Sequence, residues 1–176
     1  LWIALSPIIL VDELKLTSVQ YGLAQFPVFL GLIVGNIVLI KIIDRLPLGK
    51  TVMMGLPIML TGTLILILGV VWQTYLIPCL LTGMTLICFG EGISFSVIYR
   101  FALMSSEVSK GTVAAAVSIL MMVSFFSIIE VVRLLYTYFH IWAFVLTSFV
   151  LIAFWIGMPR MVLKQYMQTR LQQGIH

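Results

Sequence analysis

The sequence predicts an all-α membrane protein, and three observations carry that expectation. Of its 176 residues 62% are hydrophobic and only 9% charged, where soluble domains hold about 25% charged residues. Mean hydropathy is +1.19. Apolar runs close to the roughly 20 residues that cross a bilayer as a helix recur over 21–40, 52–72, 76–103, 113–136 and 141–158.

Ahead of these five runs, 1–11 (LWIALSPIILV) is apolar but too short to span. It lacks the charged start and small-residue cleavage site of a signal peptide, begins with Leu, and reads as the end of a sixth helix whose start is missing. In the run 21–40, Gly31 and Gly35 form GLIVG, a small-xxx-small spacing that lets two helix backbones approach. Packing within the chain is preferred to dimerisation. Pro7, Pro27, Pro57 and Pro78 fall within or near the start of spans, where kinks are tolerated if a neighbouring helix or water satisfies the freed carbonyl. Cys79 and Cys88 are nine residues apart in one run, hence on opposite faces and about 13 Å apart along a helix axis. They cannot bridge each other. The chain closes on a tail, 159–176, rich in basic and amide residues.

The connections alternate in charge. Lys41, Arg45, Lys50, Arg100, Lys110, Arg160, Lys164 and Arg170, eight of the ten basic residues, fall in two connections and the tail, whereas the opposite side carries Lys15 alone. By the positive-inside rule the basic connections and the C-terminus are expected in the cytoplasm, with the chain in the inner (plasma) membrane. The net charge of +4 then reports topology and attraction to anionic lipid, and gives no reason to invoke nucleic acid. The opposite connections, VDELKLTS, WQT and TYFH, are short, so function is expected within the helices.

Enzyme chemistry finds no support in the motifs. LPLGKT resembles the end of a phosphate-binding loop, but Asp44 stands where that loop needs Gly, and a strand should precede it. The two histidines, His140 and His176, are too far apart for a metal-protease pair. No GxSxG elbow is present. No enzyme activity, metal or cofactor is expected.

The intramembrane charges are the informative residues, because a charge at the centre of a membrane helix costs about 2.5–3.5 kcal/mol on the insertion scale and so has a partner or a task. Glu130 and Arg133 lie three apart in SFFSIIEVVRLLY, close enough on a helix to interact. With Ser127 and Thr137 they share one face, which suits a protein interior or wet cavity. The opposite face, Met121, Phe125, Ile128 and Val132, suits lipid. Either the pair is an internal salt bridge, with Arg133 reaching to the outer surface, or Glu130 faces a cavity and exchanges protons or senses cationic substrate. Glu91 sits near the middle of its run in CFGEGISFS, with no basic residue within one turn. It is either a proton-pathway acid or a protonated carboxyl bonded to a neighbouring helix between two glycines that permit close packing.

Taken in order, WIALSPIIL, YGLAQFPVFLGLIVGN, FALMSSEVSKGTVAAAVSILMM and IIEVVR resemble the C-terminal six-helix half of drug/proton antiporters of the major facilitator superfamily, of the MdfA type. The likeness covers essentially the whole chain, with WIALSP and SEVSKGTVAAA as its most specific pieces; DRLP followed by LGK resembles only a degenerate form of the family's cytoplasmic loop. The resemblance implies the end of helix 7 plus helices 8 to 12 of a twelve-helix fold, with an N-terminal half as partner and alternating access to a central cavity. It implies export of lipophilic cationic or neutral drugs in exchange for protons. Trp2 and Ile3 would lie in the helix bordering the cavity, and Glu130 and Arg133 would be a family acid/base pair in helix 11. The family's principal proton-coupling acids would lie outside this sequence. Glu91 departs from the family's pattern, where a small or apolar residue is usual, so substrate range or coupling would differ. The alternatives are an uptake facilitator for a small polar nutrient and a non-transporting scaffold. A nutrient site needs many convergent hydrogen-bonding residues, and the helices offer few beyond Gln25, Asn36, Thr82 and Thr85, which favours lipophilic cargo.

Overall fold

The computed structural model describes residues 1–43, 48–104 and 108–154, with the side chains of 48–50, 101 and 104 set aside. The connection centred on 44–47, including DRLP, and the tail 159–176 lie outside the described residues, as does the end of the run 141–158.

All described elements are helical. Helix α1, Trp2–Pro7, passes at its proline directly into a π-helical turn, Ile8–Glu13. There the Leu14 N–H donates to the Ile9 carbonyl five residues back, at 3.1 Å. VDELKLTS is therefore not a plain loop, since its first residues belong to this wider turn. The chain reverses at Lys15, whose φ is 55°, and Thr17 starts α2, Ser18–Ile42, with a reciprocal cap. Thr17 Oγ1 accepts from the Gln20 N–H, and Gln20 Oε1 accepts from the Thr17 N–H at 2.9 Å, satisfying two donors that a helix start leaves orphaned. Helix α3, Leu48–Val71, is joined by a 3₁₀ turn, Gln73–Tyr75, to α4, Leu76–Met104. Ser109 caps α5, Lys110–Phe139. At 30 residues α5 is about 45 Å long, longer than a hydrocarbon core of about 30 Å. Only His140, at φ 49°, separates it from α6, Ile141–Phe154. Among the described residues four helices are long and apolar enough to cross a membrane, and α6 is a shorter apolar helix as far as it is described.

Helix α4 is the centre of the packing, with α2 on one flank and α3 on the other. Both contacts run backbone to backbone through glycines. A methyl at Gly31 would lie 2.5 Å from the Thr85 carbonyl oxygen, one at Gly62 would lie 2.6 Å from that of Gly83, and Gly35 is seated on the Phe89 backbone. GLIVG thus packs inside the chain. Cys79 and Cys88 are free, and Cys79 packs on Gly69. The apolar core lies where α1 and its π-turn (Leu5, Ile9, Leu10) meet Leu80 of α4, Val132 of α5, and Phe144 and Val145 of α6.

Candidate functional site

Helix α1 presents two consecutive residues in opposite ways. Trp2 is 5% exposed and Ile3 71%. Trp2 is held from two sides: its ring lies 6.0 Å from that of Phe144, and its Nε1–H donates to Gln25 Oε1 at 2.7 Å. Gln25 Nε2 in turn donates to Ser6 Oγ at 2.9 Å, and Ser6 Oγ lies 3.2 Å from the Tyr21 hydroxyl. Four polar groups therefore form one chain, Trp2–Gln25–Ser6–Tyr21, fastening α1 to α2. Gln25 is the hinge of this chain because its amide both accepts and donates. In hydrocarbon no water can replace such partners, so the chain fixes the rotation of α1 and with it the outward aim of Ile3.

Glu91 sits at the midpoint of α4. Gly90, one residue before, packs on Gly55 and Met59 of α3, and Gly92, one after, packs on Leu32 and Asn36 of α2. Because both neighbours are committed to flanking helices, Glu91 is turned to the side on which Met84, Ile87 and Cys88 meet the core around α1. It lies within electrostatic reach of the first residue of the chain. Among the described residues it makes no hydrogen bond or ion pair. Beside it the α2–α4 seam has a polar tie, in which Ser96 Oγ donates to Asn36 Oδ1 at 2.8 Å.

Glu130 and Arg133 pair with each other at 4.0 Å, with side chains 45% and 68% exposed respectively. The face expected to suit a protein interior is the one this chain leaves open. Val132 and Tyr136 are the buried residues of α5, with Ile128 packed beside them, while Ser127, Arg133 and Thr137 are exposed. The physical reason is that the apolar stripe packs against the core of α1 and α6 without leaving a polar group unmet, whereas a charged face set against that core would be buried without partners. Ser124, Ser127 and Thr137 direct their hydroxyls to carbonyls of their own helix. The structure thus brings Trp2, Ile3 and Glu91 toward one end of α1, and sets Glu130 and Arg133 apart as a pair. Reading single residues does not find Ser6 and Tyr21. Their signal is spacing: Trp2 and Ser6, like Tyr21 and Gln25, are four apart, two polar pairs each on one helical face. Among the described residues no cluster of His, Cys, Asp or Glu could hold a metal.

Among the described residues, membrane-length helices joined by glycine seams, with a lone acid at mid-helix and an exposed Glu130–Arg133 pair, make a helical unit of a polytopic membrane protein. No protein-family model matches the chain. Over all 176 residues, however, it is 82% identical to the chloramphenicol resistance protein CraA of Acinetobacter baumannii, of which it spans 43%. It is 37% identical over 74% of its own length to the multidrug transporter MdfA of Escherichia coli O157:H7, covering 32% of that protein. To MdfA of Yersinia pestis it is 28% identical over 93% of its length, covering 40% of that protein. The chain thus spans less than half the length of these relatives. It belongs to the MdfA-type drug transporters of the major facilitator superfamily, a family of transporters rather than enzymes, and its six helices are consistent with the C-terminal half of that fold.

Proposed function

We propose that the chain is the C-terminal half of a secondary transporter that exports lipophilic cationic or neutral drugs in exchange for protons by alternating access, with an N-terminal six-helix half as its partner. The observation that carries this reading is the 82% identity, across every residue, to a chloramphenicol resistance protein. The exposed apolar surface of Ile3 on α1 and of Phe26, Leu30 and Ile33 on α2 suits a lipophilic cargo. Trp2 holds the border of that surface in place, and Ile3 lines it. Glu91 is the proton-pathway acid of this half, because among the described acids within the membrane-length helices it has no hydrogen-bond or ion-pair partner. Glu130 and Arg133 form a paired site on the open face of α5, available to a cavity between the halves. The basic connections support a cytoplasmic C-terminus, in a protein of the inner membrane.

The test uses the full-length protein in drug-sensitive bacterial cells. It should confer chloramphenicol resistance, and a protonophore should abolish efflux from energised vesicles. Glu91→Gln should still fold and export the neutral drug, but lose the pH dependence of export of a lipophilic cation. Efflux that persists without a proton gradient would remove the antiport reading, and an unchanged pH profile in Glu91→Gln would return that residue to packing.

A further inference from the structure

At the end of the bundle opposite the basic connections, four titratable groups converge that the transport reading does not use. The π-helical turn that extends α1 ends on Asp12 and Glu13. Glu13 Oε1 lies 3.4 Å from Nδ1 of His140, the single residue between α5 and α6. Tyr136, one turn earlier on α5, lies edge-on to the His140 ring at 6.4 Å. Its hydroxyl is sealed from the surroundings and makes no hydrogen bond of good geometry, but the Glu13 carboxylate lies beside it as an acceptor, with Asp12 within electrostatic reach. Lys15, the nearest cation along the chain, lines a cleft with Leu16, Ile77 and Leu81.

Two backbone features make the cluster a joint rather than a chance surface contact. His140 holds φ 49°, a conformation uncommon outside glycine that persists only where the surroundings enforce it. The turn carrying Glu13 is π-helical, a rare form that is frequent at functional sites.

We propose that Glu13 and His140, packed beside Tyr136, form a proton-operated latch that ties the end of α1 to the α5–α6 junction. Histidine is the side chain that gains charge as pH falls through the mildly acidic range. The proton arrives from water on the exposed imidazole, Nδ1–H then donates to the Glu13 carboxylate, and the latch closes. When the proton returns to water, the neutral ring no longer attracts the carboxylate, and the end of α1 loosens from the α5–α6 junction. In the proposed transporter, a high proton concentration on this side would therefore stiffen the end of the helix that carries Trp2 and Ile3.

The latch depends on the transport reading only for that last consequence, and its test needs no transport. Amide hydrogen exchange of residues 8–13 is measured in the full-length protein in nanodiscs at about pH 5.5 and about pH 8, on either side of ordinary histidine titration, with intrinsic rates divided out. The wild-type protein should protect these amides about threefold better at the lower pH, the size expected of a partly exposed ion pair. His140→Asn keeps a side chain that tolerates positive φ but does not titrate, and should lose the difference. Glu13→Gln should lose it equally, and Tyr136→Phe should retain it. Equal protection at both pH values in the wild-type protein overturns the latch, and so does a pH response that survives in either His140→Asn or Glu13→Gln.

Discussion

Helices α4 and α5 are of nearly equal length, 29 and 30 residues, and equally suited to a membrane, yet they are held in opposite ways. Helix α4 is gripped on two flanks, with glycines bringing α2 and α3 so close that carbonyl oxygens fill the space of absent side chains. From Lys110 to Val131 no described side chain of α5 is buried, and the helix is anchored only near its end by Val132 and Tyr136. In lipid, association gains little from hydrophobicity, because lipid tails are as apolar as leucine. Close backbone contact and interhelical hydrogen bonds decide which helices adhere. Helix α4 has both, through its glycines and the Ser96–Asn36 bond. Helix α5 directs its serines to its own backbone and has neither over most of its length. The lesson is that the seam is built to stay, and the open face of α5 is built to meet something else.

The most forceful way to break this comparison is a single methyl group. Gly35→Ala would drive a side chain into the Phe89 backbone, which cannot retreat along a rigid helix; overpacking of this kind costs about 1–3 kcal/mol, and folded yield and melting temperature in detergent should both fall. Gly111 on α5 meets nothing within 4 Å, so Gly111→Ala should leave the protein unchanged or up to about 1 kcal/mol more stable. Equal losses at the two sites would mean that α5 is as tightly packed as α4.

A smaller effect is expected from the polar chain. Gln25→Leu removes the bonds to Trp2 and Ser6 together. Interhelical hydrogen bonds in membranes average about 0.6 kcal/mol and reach about 1.7, so a loss of about 1–2 kcal/mol should appear in a reversible unfolding titration. Gln25→Glu, which keeps the acceptor for Trp2, should recover part of it. A null effect would show that α1 is positioned by Phe144 and the core alone.

The smallest effect belongs to Glu130 and Arg133. At 4.0 Å and largely exposed, the pair should show a coupling of no more than about 1 kcal/mol in a double-mutant cycle with Gln at both positions. A coupling of about 3 kcal/mol or more is typical of pairs broken while buried. It would sharpen the comparison by showing that the open face of α5 is covered in the full-length protein.

Much of the fold was legible in composition and spacing. The all-helical membrane class follows from the length of the apolar runs, and GLIVG advertised the α2–α4 seam, because only a missing side chain lets two backbones touch. Glu91 was visible as an acid without a neighbour in its own helix, and Glu130 and Arg133 as a pair at helical spacing. These are local facts, fixed by residue type and by 3.6 residues per turn. Three things needed the tertiary structure. The face of α5 that packs is the apolar one, because burial is decided by what the neighbouring helices offer and not by the helix alone. Trp2 and Gln25 are 23 residues apart, and Glu13 and His140 are separated by nearly the whole described chain, so no periodicity can relate them. The sequence by itself determined which residues are expensive in lipid; only the packing of helices distant in the chain decided which of them found partners, since a hydrogen bond or ion pair depends on distances of a few ångströms that spacing along one helix does not encode.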